Sequence, residues 1–370
     1  MASHIYCHIP FCAAKCPYCD FYSESGRSAV TMQKVIDAMV LEVMTITPDE
    51  VISTIYIGGG TPSFIPAELI SKLMNAIKEH FDVADSAEIT IEVNPVSLTR
   101  AKAEIYRSCG INRVSVGVQS LHDEHLKTLG RLHDSKGAEN CINTLKEAGF
   151  TNISADLIIA VPGQTTDDVI EDMIRLKDLG AKHISTYSLS IEEGTPFEKL
   201  YGDNIEDFVS PEKERAMYHE LRDSLVEAGF IPYEISNSCL PGYESRHNSS
   251  YWEGEEYYGI GPGSHGYINS RRYMHEDSID KYINDPLYTV TEEELSEDDK
   301  IHEYPYLKLR TTAGMDAEEF RARFGKELMD VFGEAIRKNM NDGLLEQNGN
   351  RFSLTKQGID WCNKVASDFI

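Results

Sequence analysis

Cys12-Ala13-Ala14-Lys15-Cys16-Pro17-Tyr18-Cys19 stands directly behind a short strand-like run, Ile5–Ile9. The spacing is Cys-x3-Cys-x2-Cys. On an irregular loop it lets three thiolates converge on one face of a four-iron cubane, and no fourth cysteine follows to close it. One iron therefore stays open to an exchangeable ligand. The residues alone leave a second reading, a zinc ion held by the same cysteines and His8. Zinc ligands, however, usually come as two separated Cys/His pairs. Strand alternation turns Cys7 away from Tyr6 and His8, so Cys7 reads as packing. Cys109, Cys141, Cys239 and Cys362 read as small buried apolar residues. Thiols clustered this way, behind an N-terminus with no basic and apolar leader, predict metal ligation in a reducing cytoplasm.

Outward from this loop, strand-like and helix-like segments alternate. The strands are predicted at Ile5–Ile9, Ser53–Ile57, Glu88–Val93, Arg113–Val118, Ser154–Ile159, His183–Leu189 and Pro232–Ser236. Amphipathic helices are predicted between them at Thr31–Met44, Pro66–His80, Ser135–Ala148, Thr166–Leu179 and Pro211–Ala228. Repeated βα units imply a parallel sheet, open or closed into a barrel, with its site beyond the strand C-termini. Gly58-Gly59-Gly60-Thr61, Glu92-Val93-Asn94-Pro95 and Gln119-Ser120 fall at such ends, and Asp156 lies inside the fifth strand. Four polar or glycine-rich motifs on one rim are poorly explained by packing.

From about residue 240 the alternation breaks into Gly-, Tyr- and Ser-rich sequence, followed by an acidic stretch, Glu292–Glu294 and Glu297–Asp299, read as a solvated helix start. The last segment predicts helices, a hairpin turning on Asn348-Gly349, and a final helix from Lys356. The expected division is 1–236, 237–290 and 291–370, the last an α+β unit like a winged helix. That unit has 17 acidic and 11 basic side chains, and the whole chain has a formal charge of −26. Nucleic acid and anionic membrane surfaces both call for positive fields, so neither is an expected partner. No apolar run approaches the ~20 residues of a membrane span.

These motifs together resemble the radical S-adenosylmethionine enzymes of the oxygen-independent coproporphyrinogen oxidase group. The matching stretches are Tyr6–Cys19, Gly58–Ser63, Glu92–Pro95, Gly117–Ser120, Leu129–Arg131, Asp156–Pro162 and Gly259–His265. The resemblance implies a partial (βα)6-type TIM barrel with a [4Fe-4S] cluster on Cys12, Cys16 and Cys19 and S-adenosylmethionine on the open iron. It places Gly59, Gly60 and Thr61 against the amino group of that cofactor and Glu92 in contact with it. Gln119, Arg131 and Asp156 become polar positions around this or a second cofactor molecule. Tyr6 falls beside the sulfonium, and Tyr18 packs by cluster and adenine. No residue is assigned a catalytic role.

Within the group the chain departs from the oxidases, which continue the cysteine motif as Cys-x-Cys and carry an N-terminal extension. Here Asp20-Phe21 follow Cys19, and eleven residues precede Cys12. Arg246-His247-Asn248-Ser249-Ser250-Tyr251-Trp252 instead fits the His-Asn-x-x-Tyr-Trp signature of HemW-type haem chaperones. That likeness implies haem as ligand, His247 on its iron, and Tyr251 and Trp252 stacked on the porphyrin. His265 is a weaker ligand-facing candidate. The implied partners are haem, acceptor apo-haemoproteins and an electron-donor protein. The competing expectations are oxidative decarboxylation of coproporphyrinogen, and radical methylation or cyclopropanation on the same scaffold.

Overall fold

The computed structural model describes residues 2–202 and 208–370. Six strands run parallel and in sequence order: β1 (His4–Ile9), β2 (Ile52–Gly59), β3 (Val83–Val93), β4 (Arg113–Gln119), β5 (Asn152–Ile159) and β6 (His183–Ser188). Helices cover their outer face, among them Ala29–Thr45, Ala67–His80, Ser135–Glu147 and Thr166–Leu179. β6 does not return to β1, so the result is a partial (βα)6 barrel open between its first and sixth strands.

The sequence of β4, Arg-Val-Ser-Val-Gly-Val-Gln, shows how the wall forms. Val114, Val116 and Val118 are fully buried in the core. Arg113, Ser115, Gly117 and Gln119 alternate onto the opposite face and line the lumen. β1 obeys the same rule, with Ile5, Cys7 and Ile9 in the core.

The predicted seventh strand is corrected. β7 (Ile231–Pro232) and β8 (Asn237–Cys239) form a hairpin that adds antiparallel to β6. Pro232 has no N–H to offer a central ladder, which suits this edge position. The Gly- and Tyr-rich stretch, to which the sequence assigns no element, is also ordered into strands. It contributes β9 (Tyr257–Ile260), β10 (His265–Ile268), β11 (Arg271–Met274) and β12 (Val290–Glu294). β9 pairs parallel with β1, and the other three extend the sheet antiparallel to twelve strands. Gly259 serves a strand crossing rather than a loop, because a Cβ there would lie 1.9 Å from the His265 carbonyl oxygen. Glu294 accordingly belongs to a strand. The helix starts at Glu297, with Ser296 and Asp299 in a capping box. Cys7, Cys109, Cys141 and Cys239 are buried as expected, whereas Cys362 is half-buried.

The C-terminal unit has its own core, with Tyr304, Phe320, Phe332, Ile336 and Phe352. Its sheet is antiparallel, in the order β13 (Met315–Asp316), β15 (Arg351–Leu354), β14 (Leu345–Asn348). The β14–β15 hairpin turns at Gly349 with φ +61°, in the manner of a wing. Among the described residues no helix is long and apolar enough to cross a membrane.

A buried carboxylate ties the added strands to the barrel helices. Glu42, on the Ala29–Thr45 helix, accepts hydrogen bonds from His275 Nε2 (2.7 Å), the Gly261 amide (3.2 Å) and the Tyr282 hydroxyl. Replacing Glu42 by alanine strands all three donors in the core and is expected to cost about 3 kcal/mol, read as a lowered urea midpoint.

Candidate functional site

The cysteine loop is built onto the end of β1. Cys12 N–H donates to the Glu24 carbonyl (3.1 Å) and Glu24 N–H to that of Pro10 (2.8 Å), which closes the base of the loop. Cys19 N–H returns to the Cys16 carbonyl (3.1 Å). Two neighbouring segments hold the thiols in place. Thr61 Oγ1 lies 3.3 Å from Cys12 Sγ, and a Cβ on Gly60 would meet that sulfur at 3.1 Å. Gly130 takes φ +66° where a Cβ would run into the Pro17 ring at 2.7 Å, so only glycine brings the next residue alongside the loop. That residue is Arg131. Its Nη1 reaches Cys16 Sγ (3.5 Å) and the Tyr18 hydroxyl (3.4 Å), while Nη2 donates to the Gly117 carbonyl (3.0 Å).

All three cysteines open onto one cavity of about 590 Å³ that runs down the barrel lumen. Tyr18, Gly59, Gly60, Thr61, Glu92, Gln119, Arg131 and Asp156 line the same space. Gln119 adopts φ +68° at a register shift between β4 and β5, a bulge that re-aims a side chain at the rim. Glu92 accepts from the Tyr56 hydroxyl (2.8 Å) and the Gly59 amide (3.2 Å), yet burial pushes its carboxyl up to about 7. Asp156 accepts the Ser115 hydroxyl at 3.0 and 3.1 Å, and burial raises it too.

Tyr6 does not line this space. It stacks on Tyr56 at 6.1 Å, and its hydroxyl lies 3.1 Å from His8 Nδ1. His8 Nε2 donates to the Tyr22 carbonyl (2.9 Å), and burial lowers the ring's pKa. Both nitrogens of His8 are thus committed to protein partners, which removes the fourth ligand of the zinc alternative. The donor set fits an iron–sulfur cluster instead: three thiols face one cavity, with a guanidinium beside them to balance anionic sulfur.

The Arg246–Trp252 helix sits at the other end of the lumen. The Glu88 carboxylate of β3 accepts the amides of Arg246 and His247, both at 3.1 Å, and Ser245 caps the helix. His247 is buried against Tyr56. Its Nδ1 pairs with Thr54 Oγ1 (2.7 Å) and its Nε2 with the Tyr251 hydroxyl (2.8 Å), and burial lowers its pKa to about 3. Thr54 precedes Gly59 by five residues on β2. At a strand rise of ~3.3 Å this sets the Thr54 backbone roughly 16 Å along β2 from Gly59. Trp252 faces away from the cavity, under the Arg310 guanidinium at 6.0 Å. Of the motif residues, Asn248 lines the cavity. The C-terminal unit grips this helix from outside: Lys308 pairs with Glu253 and with Glu319 (2.8 Å), and Arg323 Nη1 donates to the Glu253 carbonyl (2.9 Å).

Sequence reasoning missed several residues that line the cavity with these carboxylates, Tyr56, Ser115, Tyr187 and Arg113 among them. Arg113 is almost fully buried there. The strict polar–valine alternation of β4 put it on the face of Gln119, and that signal was available.

The radical SAM superfamily model matches residues 6–176, and the HemN C-terminal domain model matches 295–361. The chain is 35% identical to the heme chaperone HemW of Lactococcus lactis subsp. lactis (strain IL1403), over 99% of this chain and 96% of that protein. It is 32% identical to the heme chaperone HemW of Bacillus subtilis (strain 168), over 99% and 98%. Among solved structures, coproporphyrinogen III oxidase (HemN) from Escherichia coli superposes with a TM-score of 0.85 at 22% identity. That match covers 99% of this chain and 89% of the oxidase, and at that identity it speaks for the fold.

A cationic ligand held by Glu92 would bind with a pH dependence. The carboxyl is neutral below about pH 7 and anionic above it. Affinity for S-adenosylmethionine, measured anaerobically by equilibrium dialysis, is expected to rise from pH 6 to pH 8, by up to about tenfold per unit below the pKa. Glu92→Gln is expected to flatten that profile at the weaker level.

Proposed function

The chain belongs to the HemW family of radical SAM proteins, and from that footing we propose that it binds haem and hands it to acceptor apo-haemoproteins. The observation that carries this reading is similarity to heme chaperones along almost the full length of both chains, at 35% and 32% identity. The likeness to the oxidase is one of fold.

In this reading Cys12, Cys16 and Cys19 hold the [4Fe-4S] cluster. Gly59, Gly60 and Thr61 allow a ligand to approach the backbone closely, and Glu92 and Asp156 offer carboxylates to its ammonium or hydroxyl groups. Gln119 and Arg131 complete the polar rim, and Tyr18 offers a ring face beside the cluster. When bound, cluster and S-adenosylmethionine supply a one-electron redox centre fed by an electron-donor protein.

His247 remains the proposed haem ligand, with a condition that the geometry adds. Its Nε2 is held by Tyr251, so iron must displace that hydroxyl, and Tyr251 and Trp252 must leave their present packing to reach a porphyrin face. A hydrogen bond of this kind is worth about 1 kcal/mol, roughly a fivefold change in binding. Tyr251→Phe is therefore expected to tighten haem binding by about that factor, and His247→Ala to shift the Soret band and weaken binding. An unchanged spectrum in His247→Ala would remove the residue from the iron.

The chaperone reading also predicts the fate of a tetrapyrrole substrate. Anaerobic incubation with coproporphyrinogen III, S-adenosylmethionine and a reductant is expected to yield no protoporphyrinogen, whereas haem-loaded protein activates an apo-haemoprotein. Turnover in the first assay would replace the chaperone with the oxidase.

A further inference from the structure

We propose that Arg113 forms an anion subsite just beneath the carboxylates of the barrel lumen, taking a carboxylate of the bound organic ligand. Arg113 opens β4, six residues before Gln119 at the rim. It pairs with Thr90 of β3, two residues before Glu92, so at a strand rise of ~3.3 Å its backbone lies about 7 Å beneath the position of that carboxylate. The side chain is 2% exposed and faces the cavity together with Tyr56, Glu92, Ser115, Asp156 and Asn248. Among the described residues, no hydrogen bond or ion pair holds its guanidinium, and its Nε is buried without a partner. A buried guanidinium whose donors find no acceptor is costly.

Glu92 and Asp156 both feel the Arg113 charge, which works against the rise in their pKa values, but neither forms a hydrogen bond with it. Glu92 is occupied by Tyr56 and the Gly59 amide, and Asp156 by Ser115. An arginine fork left open in a ligand-sized cavity matches a carboxylate that arrives with the ligand. Two sources share this chemistry: the propionates of a tetrapyrrole, and the amino-acid carboxylate of S-adenosylmethionine. The first rests on the chaperone reading given above, and the second does not.

The test measures anaerobic binding of three probes, haem, haem dimethyl ester and S-adenosylmethionine, to wild-type protein, Arg113→Gln and Arg113→Lys. If propionates occupy the subsite, wild type binds haem roughly ten- to a hundredfold tighter than the ester, as expected for a charge-assisted pair. Arg113→Gln then falls to the ester level without changing ester affinity, and Arg113→Lys lies between. The wild-type comparison of acid with ester needs no variant to fold. A loss confined to S-adenosylmethionine keeps the subsite and assigns it to that molecule. Equal affinities for all probes across folded wild type and variants overturn the subsite. Wild type that binds neither haem nor its ester retires the chaperone reading alone, and the S-adenosylmethionine arm then decides the subsite.

Discussion

Everything in this molecule depends on β1 having two parallel neighbours. On one side it pairs with β2, register Tyr6 to Tyr56, and on the other with β9, register Tyr6 to Gly259. Its even residues, His4, Tyr6 and His8, carry the polar contacts, while Ile5, Cys7 and Ile9 are core. The strand releases the cysteine loop at its C-terminal end. At its N-terminal end His4 Nδ1 lies 2.8 Å from Thr54 Oγ1, the same hydroxyl that meets His247. One six-residue strand thus fixes both the rim and the floor.

Much of this was legible because the signals are periodic. β1 through β6 read as runs of β-branched residues behind capped helices, and the Cys-x3-Cys-x2-Cys spacing needs no tertiary information. What failed was short or glycine-bearing. β9 to β12 are four or five residues each, and Gly259 and Gly266 look like loop formers. In the folded chain these glycines make room instead, for the His265 carbonyl and for the Tyr273 ring. That need arises from a partner strand and has no trace in local sequence. Pro232–Ser236 misled in the opposite direction, since its β propensity is spent on an edge hairpin.

The site divides along the same line. The positions of the thiols, Gly59, Gly60, Thr61, Glu92, Gln119, Arg131 and Asp156 around one cavity follow from strand-end motifs. Tyr6 and Trp252 do not reach it, because which ring faces a lumen depends on what packs behind it: Tyr56 stands in front of Tyr6, and Arg310 draws Trp252 outward. His247 was found by its motif, but the engagement of both its nitrogens could be seen only in three dimensions. Arg113 was overlooked because a lone arginine opening a strand resembles a surface residue until the alternation is followed.

The Arg246–Trp252 helix stoppers the barrel at its base, and the C-terminal unit clamps that stopper from behind through Lys308 and Arg323. Because Asn248 of that helix also lines the cavity, a shift of the C-terminal unit would move part of the cavity wall.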